Sequence, residues 1–187
     1  MKHQKLYHLV LAALFAALTA IGAFLKIQIP VEGIPAITLQ FFFTAMAGVL
    51  LGAKYGAISQ AVYVLLGLVG LPIFTMGGGF SYVLQPSFGF LLGLIPSAWV
   101  IGTLCKNAKS FWPMALGILA GLAVLYLIGT PYMGLILNLY LGKGMSVWQI
   151  VRAGCLLYLP GDVLKIVVCT ALCLALRSRL PKALAAA

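Results

Sequence analysis

An acidic and a basic residue lie three positions apart in an apolar segment near the end of the chain. If this segment is helical, Asp162 and Lys165 share one face. A charge at the centre of a membrane costs about 2.5–3.5 kcal/mol on insertion scales, so it requires a compensating partner or a polar cavity. The two residues can neutralise each other, but a carboxylate that accepts hydrogen bonds beside an ammonium that donates them also suits a polar ligand. We therefore expect the pair to bind a small molecule with both donors and acceptors, such as a cyclic urea.

A second group of candidate residues lies in a segment that cannot form a regular helix. Between residues 72 and 87 the chain contains three consecutive glycines and two prolines. Glycines permit close approach of the backbone to a ligand, or act as the hinge of a lid. The residues of this segment that we expect at a ligand site are Gly79, Phe80, Tyr82 and Gln85. The alternative is an ordinary flexible loop whose aromatic side chains lie at the lipid interface.

The sequence offers little for catalysis. The acidic residues are Glu32 and Asp162, and the histidines are His3 and His8. No catalytic triad, metal cluster or pair of carboxylates can be assembled from these. The four cysteines form no C-x-x-C pair, and we interpret them as small apolar residues of a helix bundle. We therefore predict no enzyme activity, no catalytic residues, no metal and no cofactor.

The composition indicates the class of protein that positions these residues. Of 187 residues, 64% are apolar and 7% are charged, whereas soluble domains carry roughly 25% charged residues. Such a surface suits a lipid bilayer as its solvent. The net charge of +10 does not indicate nucleic-acid binding, because the basic residues stand in short groups between apolar runs rather than along one face.

Apolar runs of about 20 residues predict transmembrane helices. The chain contains six such runs, at residues 6–29, 37–53, 57–71, 88–104, 112–140 and 147–176. We therefore predict an all-α, polytopic membrane protein, a bundle of six transmembrane helices in a single membrane domain that covers residues 1–187. The second and third runs are short, so we expect them to be tilted or extended by their flanks.

The distribution of basic residues predicts the orientation of the bundle. Eight lie in loops and tails on the N-terminal side: Lys2, Lys5, Lys54, Lys106, Lys109, Arg177, Arg179 and Lys182. Three lie on the opposite side: Lys26, Lys143 and Arg152. The excess places both termini in the cytoplasm. The glycine-rich segment and the loop with Glu32 then lie at the outer face.

The first predicted helix carries small residues at a spacing of four: Ala12, Ala16 and Ala20. Small residues at this spacing let the backbone of another helix approach closely. We expect this face to contact a partner subunit. Packing inside the chain's own bundle is the alternative.

Several short motifs carry a resemblance that covers nearly the whole chain. They are TLQFF at 38–42, AGVLLG at 47–52, YVLLGLVGLPIF at 63–74, the triple glycine, QPSFGF at 85–90 and LPGDVLK at 159–165. In their order and spacing the chain resembles the BioY family, the biotin-binding S-components of energy-coupling factor (ECF) transporters. One mild departure is Ser87, where threonine would often be expected.

The resemblance implies a six-helix subunit that captures biotin from outside a prokaryotic cell, in the plasma membrane. It implies a transmembrane, EcfT-like coupling subunit and two cytoplasmic ATPases as partners. It further implies that Asp162 and Lys165 hold the biotin head group, that Gln85 lies beside the ring system, and that the alanine face meets the coupling subunit. Two alternatives stay open: an ion-coupled small-solute carrier with Asp162 as a proton site, and an S-component for another vitamin. The absence of an inverted repeat argues against the carrier, whereas only the family motifs argue against the other vitamin.

Overall fold

The computed structural model of the chain describes residues 2–29 and 33–178. Three charged residues lie outside the described residues: Glu32 of the predicted outer loop, and Arg179 and Lys182 of the basic tail. Helix α1 spans Lys2–Phe24 and ends short of residue 29, where its apolar run ends. The chain instead pairs as two short antiparallel strands, β1 (Lys26–Ile27) and β2 (Ile37–Thr38).

Helix α2 spans Gln40–Leu68 and is divided by Gly52, whose φ of +77° and ψ of 176° are not helical. Its two arms, residues 40–51 and 53–68, fold back on each other. Thr44 Oγ1 donates to Gln60 Oε1 at 2.9 Å across 16 residues, a separation of about 24 Å in a continuous helix. The apolar runs that end at residue 53 and resume at residue 57 predict a turn around Lys54, but the chain turns at Gly52, because a positive φ favours glycine.

The second half of the chain contains longer helices with irregular turns. Helix α3 spans Phe88–Leu104 and α4 spans Phe111–Leu135, which continues as a π-helical turn over Ile136–Tyr140. Helix α5 (Val147–Val151) runs through a second π-helical turn, Arg152–Leu156, towards α6 (Leu159–Arg177). The glycine-rich segment contains a short 3-10 helix, Phe80–Leu84.

Within the described residues, four helical segments are long and apolar enough to cross a membrane: Lys5–Phe24, Gln40–Leu68, Phe111–Tyr140 and Val147–Arg177. The apolar helix Phe88–Leu104 is shorter. The fold is therefore that of an all-α membrane protein with four to five long apolar helices. Six transmembrane helices would require each arm of α2 to cross separately.

The helices pack in chain order, α1 on α2, α2 on α3 and α3 on α4, and α6 lies against both α2 and α4. Arg177 fixes the end of α6. Its guanidinium donates to the carbonyl oxygens of Cys105 at 2.8 Å, Ala108 at 3.1 Å and Val49 at 2.5 Å. Cys105 and Val49 lie where α3 and the first arm of α2 end, and a cation is favoured at the negative end of a helix dipole.

The alanine face of α1 lies inside the chain. Ala12 and Ala16 are 2% and 4% exposed and belong to the hydrophobic core, and Ala20 packs against that core. Thr19, one helical turn from Phe15 on the buried side, accepts a hydrogen bond from Gln60 of α2 at 3.3 Å. The expectation that Ala12, Ala16 and Ala20 contact a partner subunit is therefore wrong, because α2 already occupies this face.

Candidate ligand-binding site

A cavity lies at the end of the bundle where α1 ends and where α3 and α6 begin. Its empty volume is about 620 Å³, a figure that includes the open mouth. Residues from α2, α3, α4, α6 and the short 3-10 helix contribute to the walls, together with loop residues. The lining residues are Pro35, Ala36, Thr38, Gln40, Phe41, Thr75, Tyr82, Ser87, Phe90, Leu91, Leu94, Leu125, Tyr126, Tyr158, Asp162 and Lys165.

The carboxylate of Asp162 is the centre of one polar wall. It lies in the first turn of α6, where the helix dipole favours a negative charge, and it is 4% exposed. Its Oδ1 accepts a hydrogen bond from Lys165 Nζ at 2.7 Å. Its Oδ2 accepts one from the hydroxyl of Tyr126 on α4. The predicted pair therefore forms and lines the cavity, with a tyrosine as a third member.

A second tyrosine ties the loop before β2 to this wall. The hydroxyl of Tyr158 donates to the carbonyl oxygen of Pro35 at 2.5 Å, and both residues line the cavity. This bond holds Pro35 beside the N-cap residue of α6. Tyr158 precedes Asp162 by one helical turn, so the spacing places both on one face. Sequence reasoning missed Tyr158 and also Tyr126, for which α4 alone gives no signal.

Three hydroxyl groups form a second polar wall. The Tyr82 hydroxyl lies 2.8 Å from Thr75 Oγ1 and 3.1 Å from Ser87 Oγ, and all three residues line the cavity. We call these residues the hydroxyl cluster. Behind it, Lys26 Nζ donates to the carbonyl oxygen of Thr75 at 2.5 Å. This bond joins the end of α1 to the glycine-rich segment.

Gln40 and Thr38 form a third polar part of the cavity wall. Gln40 Nε2 donates to the Tyr63 hydroxyl at 2.8 Å, and its Oε1 accepts from Thr38 Oγ1 at 3.0 Å. Tyr63 donates in turn to the carbonyl oxygen of Ile73 at 3.1 Å. The side-chain amide of Gln40 is therefore held in one orientation. Sequence reasoning did not select Gln40 as a site residue, although it lies in the TLQFF motif.

The structure brings only some of the sequence-predicted site residues together. Asp162, Lys165 and Tyr82 line one cavity, whereas Gly79, Phe80 and Gln85 are not among its lining residues. Phe80 is 80% exposed. The 3-10 helix explains why Phe80 and Tyr82 point in different directions, because its side chains follow one another at about 120° and residues two positions apart cannot face the same way.

Gly79 and Gln85 serve the backbone of the glycine-rich segment. The Gly79 N–H donates to the Gly67 carbonyl oxygen at 2.7 Å, with a φ of +100°. The Gln85 N–H donates to the Tyr82 carbonyl oxygen at 2.9 Å and ends the 3-10 helix. Together they fix the turn that carries Tyr82 into the cavity wall.

Comparison with known proteins relates the whole chain to one family. The BioY family matches residues 1–182. A probable biotin transporter BioY from Lysinibacillus sphaericus is 45% identical over 148 residues, which cover 78% of this chain and 74% of that protein. The biotin transporter BioY from Thermotoga maritima is 37% identical over 171 residues, 90% of this chain and 95% of that protein. A crystal structure of the S-component for biotin from an ECF-type ABC transporter superposes with a TM-score of 0.82 at 28% identity, covering 95% of this chain and 94% of that one. The likeness therefore extends through sequence and fold over nearly the full length.

Proposed function

The chain belongs to the BioY family, and on this premise we propose that it is the S-component that captures biotin for an ECF-type transporter. It is a transporter subunit and not an enzyme. The observation that carries the proposal is the Asp162–Lys165 ion pair, with its carboxylate buried, on the wall of a cavity that is otherwise lined largely by apolar and aromatic side chains. The pair is neutral overall, and it offers an acceptor beside a donor.

Biotin combines a urea, a thioether ring and a carboxylate tail, and the cavity has walls for each kind of group. Each oxygen of Asp162 already accepts one hydrogen bond, and each carboxylate oxygen has a further lone pair for a urea N–H. Lys165 has two more N–H donors, which suit the urea carbonyl. Phe41, Phe90 and Leu91 provide apolar surface for the ring.

The chain is a multi-pass membrane protein, and we place both termini in the cytoplasm of a prokaryotic cell. The excess of basic residues on the N-terminal side supports this orientation. The cavity then opens to the outside, where biotin is captured. The arms of α2, with 12 and 16 residues, are about 18 and 24 Å long. Because the hydrocarbon core is about 30 Å thick, the six-helix arrangement requires the membrane to be locally thin or the arms to be extended by their flanks.

The energy for uptake comes from partner subunits in this proposal. The sequence contains no G-x-x-x-x-G-K-[ST] motif that would bind a nucleotide phosphate. A transmembrane coupling subunit and two cytoplasmic ATPases therefore complete the transporter. The small residues of α1 that are exposed are Ala13 and Ala17, flanked by the exposed Val10 and Leu14. We assign the contact with the coupling subunit to this outward face.

Calorimetry on the purified chain in detergent, together with mass spectrometry of any co-purified ligand, tests the proposal. We expect biotin to bind at one site and to raise the thermal unfolding temperature. Binding of a different vitamin, with no response to biotin, would assign another substrate. Proton-driven uptake by cells that express this chain without coupling subunits would instead support the ion-coupled carrier.

A further inference from the structure

Two of the polar walls of the cavity differ in their chemistry. Asp162, Lys165 and Tyr126 make one wall, which combines an acceptor with donors and has no net charge. The hydroxyl cluster makes the other wall. The Lys26 ammonium donates to the backbone carbonyl of Thr75, and within residues 2–29 and 33–178 it is the only ionic group that is hydrogen-bonded to the cluster. A ligand with one neutral polar end and one anionic end has a different wall for each.

The hydroxyl cluster has one hydrogen to spare. Three hydroxyls carry three hydrogens, and the bonds that Tyr82 makes with Thr75 and Ser87 use two of them. The chain of bonds can run in either direction, so the third hydrogen belongs to a hydroxyl that is free to donate to a ligand. A carboxylate accepts hydrogen bonds and donates none when ionised. It is therefore a fitting ligand for this cluster.

Lys26 adds positive charge at the same place. Its ammonium uses one donor on the Thr75 carbonyl oxygen at 2.5 Å, and an ammonium has three donors. Lys26 is the first residue of β1 and is exposed, and its bond to Thr75 holds the ammonium beside the cluster. Hydrogen bonds that involve an ionised partner are roughly twice as strong as neutral ones.

The Asp162–Lys165 pair is less suited to an anionic group. Lys165 Nζ lies 2.7 Å from Asp162 Oδ1, so a carboxylate brought to Lys165 would lie close to the carboxylate of Asp162. Two carboxylates at one site repel, and one of them must then take up a proton. A neutral urea meets no such repulsion.

We infer that the hydroxyl cluster Thr75, Tyr82 and Ser87, backed by Lys26, is the subsite for the carboxylate of the ligand tail. The Asp162–Lys165 wall takes the neutral head group. This inference rests on the proposed function, because it assumes that biotin is the ligand. It gives Tyr82 a polar role in the ligand site.

The test compares biotin with biotinamide, in which a neutral carboxamide replaces the carboxylate. Calorimetry gives the affinity of each ligand for the wild-type chain, Tyr82→Phe, Lys26→Gln and Tyr126→Phe. We expect Tyr82→Phe to weaken biotin by about tenfold or more, the effect typical of one hydrogen bond to a charged group, and to weaken biotinamide much less. Lys26→Gln should reduce the preference for biotin in the same direction. Tyr126→Phe should weaken both ligands equally, because Tyr126 contacts Asp162.

Controls keep the outcomes separate. Each variant should unfold without ligand at the wild-type temperature, and Ser87→Ala provides a smaller change in the same cluster if Tyr82→Phe unfolds early. Equal losses for both ligands in Tyr82→Phe and in Ser87→Ala would overturn the subsite. A preference for biotin that disappears in Lys165→Met, and persists in Tyr82→Phe, would place the tail at the charged pair and also overturn it. In both cases biotin still binds, so the proposed function survives. A wild-type chain that binds neither ligand would overturn both.

Discussion

Replacement of Asp162 by asparagine isolates the charge of the head-group wall, because the two side chains have nearly the same shape. The carboxylate accepts from Lys165 at 2.7 Å and from Tyr126. In the proposed complex it also accepts two N–H groups of the urea. Asparagine keeps one acceptor oxygen and replaces the other with a donor. It therefore cannot accept at both positions.

The size of the effect follows from the hydrogen bonds that change. A hydrogen bond to a charged group contributes about 1.5–3 kcal/mol, against about 0.5–1.5 kcal/mol for a neutral acceptor. With two urea bonds affected, the loss is about 2 kcal/mol, or roughly 30-fold in Kd. We expect Asp162→Asn to weaken biotin at least about tenfold, which corresponds to 1.4 kcal/mol. Isothermal calorimetry on the detergent-solubilised chain measures this change directly.

The same substitution also leaves Lys165 without its anionic partner, at a side-chain exposure of 12%. A buried charge without a partner is destabilising, so lower stability could itself weaken binding. The double variant Asp162→Asn, Lys165→Met separates the two effects, because it removes the unpaired ammonium. We expect the double variant to regain thermal stability while biotin affinity stays low. Unchanged affinity in the single variant, or affinity that returns together with stability, would refute the direct contact.

Three further predictions concern contacts outside the head-group wall. Ala13→Trp, on the outward face of α1, should spare biotin affinity and block uptake in cells with the coupling subunits, whereas Ala16→Trp should lower stability by about 1–3 kcal/mol through overpacking. Uptake by Ala13→Trp at the wild-type rate would argue against a partner at that face. Tyr158→Phe removes the bond to Pro35, worth about 1 kcal/mol, so stopped-flow measurements should show biotin leaving roughly fivefold faster; an unchanged rate would mean that this bond does not close the cavity. Arg177→Met should lower the unfolding temperature and leave biotin affinity unchanged, and a selective loss of affinity would contradict a purely structural role.

Some features of the site follow from sequence because they lie within one helix. Asp162 and Lys165 are three residues apart in α6, so helical geometry alone places them on one face. The scarcity of charge around them made a polar cavity necessary. The break in α2 was also expected, although its position at Gly52 depends on which residue adopts the positive φ.

Other features depend on how distant segments meet, and no local pattern encodes this. Tyr126 reaches Asp162 across 36 residues, and Tyr158 reaches Pro35 across 123. Rotation of a helix about its axis is equally hidden. Neighbouring residues of a helix lie about 100° apart, so the spacing of four identified a row of small residues on α1 without showing that this row faces α2.

The two ends of the bundle are held by different kinds of contact, and this difference determines where the ligand can enter. At the end away from the cavity, Arg177 joins three backbone segments, and α3 packs against the turn of α2. At the cavity end, hydrogen bonds hold the connecting segments. Tyr158 donates to Pro35, Lys26 donates to Thr75, and Tyr63 donates to Ile73. Each such bond contributes only about 1 kcal/mol net, so breaking one of them costs far less than separating packed helices. We therefore expect the cavity to open and close at this end while the bundle stays intact. Because Lys26 and Thr75 are also part of the tail subsite, a bound carboxylate would strengthen the closed arrangement, and the ligand would thereby favour its own enclosure.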